Sequence, residues 1–309
     1  MSSLRGRDFL TVNDFTKEEL TELLDFARQL KADVKEGREH SLLRGKTLGM
    51  IFQKSSTRTR VSFEVGMFQL GGHALFLNAN EMQIGRGEPI KDTARVLSRY
   101  LDGIMIRTFD HDEVKELAAY ADIPVINGLT DLLHPCQAMA DLLTILEHKG
   151  KLAGLTLAYV GDGNNMAHSL MLACSKMGMN VAVASPEGYE CAAEIVAATR
   201  ANAAQNGTAV TMTKDPAEAV RGADVLYTDV WTSMGQDAER EERLRVLAPY
   251  QLNAELLNAA APEAIVLHCL PAHRGEEITE EVLEGAQSVV FDQAENRLHA
   301  QKAVMAKLL

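Results

Sequence analysis

From residue 47 onward the chain alternates short β-forming apolar runs with segments of helical spacing. Four such runs come first, at 47–53, 73–78, 103–107 and 124–127. After Lys149-Gly-Lys151 and Gly154, the order restarts with runs at 156–160, 180–184, 210–213, 225–228, 264–268 and 288–291. Repeated strand–helix alternation predicts parallel sheets with helices on both faces. We therefore predict an α/β protein of two doubly wound domains that face a cleft.

The length and charge of the chain exclude several classes of protein. Its 309 residues suffice for two cores, and its net charge of −12 argues against nucleic acid or an anionic membrane as partner. No stretch approaches the length of a membrane span, and the N-terminus lacks a signal-peptide core. Four cysteines form no CxxC pair and no metal-ligand spacing. We expect a reduced, cytoplasmic protein without a metal site.

The string from Lys54 to Arg60, KSSTRTR, directly follows the first apolar run. Helical spacing from Val61 to Leu70 puts Arg58 and Arg60 near a helix start, where the macrodipole disfavours cations. Free backbone N–H groups and hydroxyls meet at the same place. A phosphate bound there would explain the pattern. A capped helix with solvated arginines is the alternative.

Two further strand ends carry polar side chains that suit the same ligand. Arg107 ends the third run, and His134-Pro-Cys-Gln137 follows the fourth. Ligands of open parallel sheets collect at the carboxyl ends of strands. Guanidinium groups would hold the phosphate of an acyl phosphate while neutral donors polarise its carbonyl group. Taken singly, His134 could be a packed or capping residue, and Arg107 a surface ion-pair residue.

The second series of strands offers groups for a different ligand. Tyr159-Val-Gly-Asp-Gly-Asn-Asn165 is a partial dinucleotide fingerprint, so an NAD-linked dehydrogenase is a rival interpretation. The third glycine is missing, and the next strand ends without an acid for a ribose hydroxyl. Asp229 follows a strand and could hold an ammonium group, or could simply cap a helix. Cys269 lies at another strand end, where a buried apolar role is the alternative.

Four motifs, in this order, resemble the signature stretches of the ornithine carbamoyltransferase family: SSTRTR at 55–60, HPCQ at 134–137, DVWTSMG at 229–235 and HCLP at 268–271. The resemblance covers most of the chain. It implies a Rossmann-like carbamoyl-phosphate-binding domain at 1–148, completed by a C-terminal helix at about 293–309 that packs back on it. It also implies an ornithine-binding domain at 149–292, a homotrimer with shared active sites, and no cofactor.

The resemblance also implies roles for individual residues. Carbamoyl phosphate would be bound by Ser56, Thr57, Arg58, Thr59, Gln83 of a neighbouring subunit, Arg107, His134, Gln137, Cys269, Leu270 and Arg297. Ornithine would be bound by Asn165, Asp229, Ser233 and Met234. Cys269, Arg107, His134 and Asp229 would be the catalytic residues. The family also has a cis bond between the residues that match Leu270 and Pro271.

The acceptor amine is the open question within such a family. Ornithine is favoured by the SMG and HCLP motifs, which the aspartate enzymes lack. Putrescine and acetylated-ornithine carbamoyltransferases are nearer alternatives, because small loop changes reset an acceptor pocket. A catalytically silent binding subunit is disfavoured by the intact set Arg58, His134, Asp229 and Cys269. The motifs are compatible with arginine synthesis and with arginine breakdown, and with assembly beyond a trimer.

Overall fold

The computed structural model describes residues 4–232 and 237–309. The chain divides into two compact units, Met1–Leu143 with Glu295–Leu309, and Thr144–Ala294. Within the described ranges, none of the helices has both the length and the apolar character needed to cross a bilayer.

The first unit is built on a parallel sheet with strand order β2-β1-β3-β4. Its strands are β1 (Thr47–Phe52), β2 (His73–Asn78), β3 (Gly103–Arg107) and β4 (Val125–Leu129). The helices that begin in it are α1 (Lys17–Lys35), α2 (Thr57–Gln69), α3 (Ile90–Leu97), α4 (His111–Tyr120) and α5 (Pro135–Lys149). Short 3₁₀ turns lie at Val12–Asp14, Ala79–Glu81 and Gln83–Arg86.

The second unit contains a parallel sheet with strand order β7-β6-β5-β8-β9. Its strands are β5 (Thr156–Val160), β6 (Asn180–Ala184), β7 (Val210–Thr213), β8 (Val225–Tyr227) and β9 (Ile265–Leu267). The remaining helices are α6 (Asn165–Met177), α7 (Ala193–Asn206), α8 (Pro216–Val220), α9 (Arg240–Leu247), α10 (Ala254–Ala259), α11 (Glu280–Leu283) and α12 (Val290–Leu308). Short 3₁₀ turns lie at Asp237–Glu239 and Ala248–Tyr250.

The prediction of two parallel-sheet α/β domains is confirmed, but the strand predicted at 288–291 is wrong. Ser288 forms only an isolated bridge to Val266, and α12 begins at Val290. A short apolar run such as Ser288-Val-Val-Phe291 fits a strand and a buried helix start equally well, so periodicity cannot separate them. The last helix therefore starts about three residues earlier than the predicted 293.

Each sheet has one point at which the strand order reverses. In the first sheet, β2 lies on one side of β1, and the chain then returns to form β3 on the other side. In the second sheet, β5 lies between β6 and β8 in the same way. The register pairs Phe52 at the end of β1 with Arg107 at the end of β3. In doubly wound sheets, ligands bind outside the carboxyl ends of the strands at such reversal points. The loops after β1, β3, β5 and β8 are therefore the places to look for function.

Gly163, in the turn between β5 and α6, permits a close approach of two loops. A Cβ atom on this residue would lie 2.4 Å from the backbone nitrogen of Cys191 and 2.7 Å from the carbonyl oxygen of Tyr189. The Gly163 N–H donates to that same carbonyl oxygen at 2.8 Å. The glycine is thus required by contact with the chain itself.

We expect Gly163→Ala to lower the free energy of unfolding by about 3 kcal/mol, because backbone atoms cannot yield to the added methyl group. Gly188→Ala is the matched control: it lies in the neighbouring loop at φ +83°, with open space around its Cβ position. There only the left-handed backbone is penalised, at about 1–2 kcal/mol. Urea unfolding of both variants measures the difference, and equal losses would contradict the close-contact explanation.

Candidate active site

In the first unit, the loop between β1 and α2 presents a helix N-terminus at the reversal point of the sheet. The Ser56 hydroxyl oxygen caps α2 by accepting a hydrogen bond from the Thr59 N–H at 3.2 Å. Thr57 is the exposed first residue of the helix, and Arg58 is half-buried. A helix N-terminus in this position is a suitable place for an anion.

The second arginine of the motif, Arg60, does not take part in this arrangement. Its guanidinium lies 3.8 Å from the ring centroid of Phe76, and its Nε donates to Glu64 at 3.0 Å. The residue is exposed. Our expectation that both arginines concentrate charge at one point is therefore wrong for Arg60. A helical step of two residues rotates the side chain to another face.

His134 is the centre of a cluster of positive groups in the first unit. It is buried, and burial lowers the pKa of its imidazole well below 6.5. The charges of Arg297, Arg107 and Arg58 lower that pKa further, in decreasing order. Three guanidinium groups from separate parts of the chain thus act on one neutral imidazole. The structure brings together the groups that the sequence predicted at three strand ends.

Arg297 is held in this cluster by uncharged side chains. Its guanidinium donates to the Gln137 Oε1 atom at 2.7 Å and to the Thr59 hydroxyl oxygen at 3.1 Å. Gln137 in turn donates to Asp141 at 2.8 Å. Thr59 and Gln137 therefore position the arginine, whatever they contribute to a ligand.

Lys54, in the loop after β1, is a residue of the first unit that the sequence analysis did not assign to the site. It is buried, its ammonium group pairs with Asp131, and it lies 4.2 Å from the ring centroid of Phe109. Asp131 belongs to the loop that leads to His134, and its N–H donates to the carbonyl oxygen of Phe109 at 2.8 Å. Lys54 consequently ties the loops that follow β1, β3 and β4 to one another.

In the second unit, Asp229 is the centre of a smaller polar group. One of its oxygens accepts a hydrogen bond from the Asn164 amide at 2.8 Å, and the other accepts one from the Cys269 thiol at 2.9 Å. Asp229 is buried, whereas Cys269 is partly exposed. The side-chain oxygen of Asn164 caps α6 through the N–H groups of Met166 and Ala167. The arrangement joins the ends of β5, β8 and β9.

The sequence prediction singled out Asn165 and missed its neighbour Asn164. Asn165 is the first residue of α6, and its backbone carbonyl accepts from Ser169 at 2.7 Å. Asn164 makes the contact with Asp229, while its side-chain oxygen caps α6. The sequence alone could not show which of the two asparagines faces Asp229, because the geometry of the turn decides it.

Four other predicted residues lie apart from these two groups or outside the described residues. Gln83 is exposed on a 3₁₀ turn, and none of the hydrogen bonds described for 4–232 and 237–309 joins its side chain to the His134 cluster. Leu270 lies in the second unit at φ 56°, and the Leu270–Pro271 bond is cis, as the family resemblance implied. Ser233 and Met234 lie outside the described residues.

The conformation of Leu270 is supported by a buried pair that the sequence did not predict. Its N–H donates to the His268 Nδ1 atom at 2.9 Å, and the other ring nitrogen of His268 lies 3.0 Å from Glu277. An acceptor at Nδ1 fixes the proton on Nε2, which donates to the carboxylate. His268 and Glu277 are fully buried. The pair therefore orients the turn that carries Cys269.

A second, largely buried acid, Asp162, is linked through Arg243 to the backbone just after Asp229. Asp162 pairs with Arg243, whose Nε donates to the carbonyl oxygen of Trp231. Burial raises the pKa of Asp162 from 3.8 to about 6, although the charge of Arg243 opposes the shift and those of Asp229 and Glu239 add to it. The acid thus changes charge close to neutral pH.

Two family models match the chain, over residues 7–147 and 153–308. Their descriptions are the carbamoyl-P binding domain and the Asp/Orn binding domain of aspartate/ornithine carbamoyltransferase. Together they span most of the sequence. The chain belongs to the aspartate/ornithine carbamoyltransferase family.

Members of this family with close similarity include bacterial and archaeal proteins. Ornithine carbamoyltransferase of Carboxydothermus hydrogenoformans is 62% identical over 100% of this chain and 99% of its own length. The anabolic ornithine carbamoyltransferase of Pyrococcus furiosus is 57% identical over 99% and 98%. A solved structure of the P. furiosus ornithine carbamoyltransferase superposes with a TM-score of 0.97 over 100% of this chain and 98% of that one.

Membership of the carbamoyltransferase family agrees with the turn at Gly163. In a dinucleotide site, the second glycine of GxG leaves room for a pyrophosphate. Here the loop at 189–191 fills that space. The dehydrogenase interpretation is therefore wrong.

The raised pKa of Asp162 predicts that the Michaelis constant for the substrate bound near Asp229, in the second unit, depends on pH at the acid side of neutrality. The raised pKa means that the fold favours the protonated acid, so the stability due to that proton is lost as pH rises through about 6. The ion pair with Arg243 behaves oppositely, since it needs the carboxylate above that pH. We expect the Michaelis constant for the amino-acid substrate, corrected for its own ionisation, to rise as pH falls below about 6.

Asp162→Asn should remove this pH dependence. Its Michaelis constant should be high and nearly constant from pH 5 to 7, the range that brackets the Asp162 pKa of about 6. Steady-state kinetics across that range provide the measurement. If the variant keeps the wild-type pH dependence of the Michaelis constant, another group is responsible for it.

Proposed function

We propose that the protein transfers the carbamoyl group of carbamoyl phosphate to the side-chain amine of L-ornithine, giving L-citrulline and phosphate. The observation that carries the proposal is the cluster of Arg58, Arg107 and Arg297 around the buried neutral His134. Converging cations of this kind need a compact, multiply charged anion to offset their repulsion. The relatives named as ornithine carbamoyltransferases, similar over their whole length, support the same reaction.

In this proposal the first unit binds carbamoyl phosphate and the second binds the amino acid. The arginines and the N-terminus of α2, with Ser56, Thr57 and Thr59, hold the phosphate. Arg107 and neutral His134 donate hydrogen bonds to the carbonyl oxygen, and Gln137 completes the site. Asp229 and Cys269 orient the ornithine amine, with Asn165, Ser233 and Met234 around the substrate and the Leu270 carbonyl facing the carbamoyl group.

The reaction starts from a neutral amine, although an alkylammonium has a pKa of about 10.4. Asp229 attracts the ammonium form of the ornithine side chain. Transfer of a proton from that ammonium group to solvent leaves the neutral amine, the nucleophile, in place. The nitrogen lone pair attacks the carbamoyl carbon, and the carbonyl oxygen gains negative charge that Arg107 and His134 stabilise. The bond from carbon to the phosphate oxygen then breaks, and phosphate carries away the proton of the attacking nitrogen.

The division of labour between the half-sites is testable by substitution. Arg58→Ala should weaken binding of a phosphonate analogue of carbamoyl phosphate by about 10–100-fold, because charge-assisted hydrogen bonds contribute about 1.5–3 kcal/mol. Asp229→Ala should instead weaken ornithine binding. Calorimetry with each ligand separates the two effects. Arg60→Ala, which removes an exposed arginine two residues away, is the control and should change neither; equal loss of both ligands in both main variants would refute the division.

We also propose that the chain works as a cytoplasmic homotrimer with shared sites. The edge strand β2 exposes Leu75 and Phe76, and the adjacent α2 exposes Val61, Val65 and Phe68. An edge strand with exposed apolar side chains is a surface for another chain. Gln83 follows this edge, so a second copy there could receive it. Four free cysteines suit a reducing compartment.

Shared sites predict complementation between inactive chains. When Gln83→Ala and Asp229→Ala chains are mixed, unfolded and refolded together, hybrid trimers contain some sites built from intact residues. Random assembly should restore about one quarter of wild-type turnover of carbamoyl phosphate, since one site in each mixed trimer is intact. Arg58→Ala mixed with Asp229→Ala is the control without recovery. Recovery in neither mixture would contradict a shared site.

A further inference from the structure

The loop that follows β9 brings three potential metal ligands together outside the residues assigned to the substrates. His273 Nδ1, Glu276 Oε2 and Glu277 Oε2 lie within 4.8 Å of one another. The His273 nitrogen lies 3.9 Å from the Glu276 oxygen and 3.8 Å from the Glu277 oxygen. All three atoms are buried, although the His273 side chain as a whole is 41% exposed.

None of these three atoms has a hydrogen-bond partner among residues 4–232 and 237–309. Glu277 is the decisive member, because its side chain is fully buried. Its Oε1 atom accepts from the His273 N–H at 2.6 Å and from His268, while its Oε2 atom faces the cluster. A buried carboxylate oxygen without a donor is costly, and a second carboxylate beside it adds repulsion.

The loop holds the three residues in place from several sides. Gly275, at φ +87°, turns the chain, and its N–H donates to the Ile278 carbonyl at 2.8 Å. Gln251 donates to the carbonyl oxygens of Gly275 and Glu276 at 2.9 and 2.8 Å. Arg240 pairs with the other oxygen of Glu276 and so leaves Oε2 directed at the cluster. The donor set is therefore fixed by the fold.

We propose that His273, Glu276 and Glu277 form a binding site for a divalent transition-metal cation such as Zn²⁺. An imidazole with two carboxylates is a donor set that zinc and cobalt accept, whereas Mg²⁺ and Ca²⁺ prefer oxygen alone. Tetrahedral ligands at about 2.0–2.1 Å from zinc are about 3.4 Å apart, so the two distances from His273 to the carboxylate oxygens, 3.9 and 3.8 Å, need to shorten by only about half an ångström. Solvent at the exposed side of His273 would supply the fourth ligand.

The position of the site connects it to the turn that carries Cys269. Glu277 binds the cation with one oxygen and holds His268 with the other, and His268 supports the turn that carries Cys269. Cation binding therefore fixes or pulls the carboxylate that orients this turn. This coupling rests on the proposed carbamoyl transfer, whereas cation binding itself does not.

A different cluster must be separated from this one. Asp229, His268 and Cys269 also present three ligand atoms within 4.8 Å of one another. The Cys269→Ser substitution removes the sulfur ligand of that cluster, so the full-length Cys269→Ser protein is the one to titrate with Co²⁺. The cobalt complex of the proposed site should show visible d–d bands without a thiolate-to-cobalt charge-transfer band in the near ultraviolet.

In the Cys269→Ser background we expect one Co²⁺ per chain, and a melting temperature that rises with Zn²⁺ concentration. His273→Gln and Glu276→Gln should each weaken Co²⁺ binding at least about tenfold and remove the rise. His148→Gln is the matched control, since it alters an imidazole that lies 2.9 Å from the single carboxylate of Asp292. It should leave both readouts unchanged.

Three results would overturn the proposal: no saturable Co²⁺ binding, unaltered binding in His273→Gln, or equal weakening in the His148→Gln control. The first two would mean that these three residues hold no cation, and the third would mean that the loss of binding is not specific to them. None of these results depends on carbamoyl transfer, so failure of the metal site and failure of the proposed function remain distinguishable.

Discussion

Repulsion between positive groups at one edge of the first sheet is the constraint on which the functional interpretation depends. Arg58, Arg107 and Arg297 all act on the buried imidazole of His134. Folding brings these groups together at a cost, because each loses hydration and each repels the others. Gln137 and Thr59 orient Arg297 without adding negative charge. A multiply charged anion would relieve this repulsion, so under the proposed function affinity for phosphate would follow from how the unit folds.

The second half-site has the opposite electrostatic character. Its central group is a carboxylate, Asp229, and the hydrogen bonds it accepts come from a neutral amide and a thiol. These donors hold the carboxylate in one orientation without neutralising its charge. An ammonium group is therefore attracted there, and a free amine can be held in the same place. The difference between the two units matches a reaction between an anionic donor and a basic acceptor.

The sequence predicted the elements better than the contacts. Parallel sheets and the residues at their reversal points follow from the alternation of runs and from motif positions, both of which are local properties. The strand expected at 288–291 failed because a four-residue apolar run carries no period. Arg60 was misplaced because a rotation of two residues decides which side chain meets the site, and the contact of Asn164 with Asp229 likewise depends on turn geometry. The contact of Lys54 with Asp131 joins distant positions, and the contact of Glu277 with His268 depends on the fold of the loop between them, so spacing alone reveals neither.

The neutral state of His134 has a chemical consequence. A fourth positive charge would add little to phosphate affinity when three arginines already supply it, and its burial would be costly. A neutral imidazole can still donate one directed hydrogen bond. Its pKa, lowered well below 6.5, keeps that donor in one form while solution pH varies around neutrality. The net charge of −12 does not oppose anion binding, because salt screens exposed charges beyond about 8 Å. In the proposed function, local charge would attract the phosphate, and the uncharged donor would bind the carbonyl oxygen.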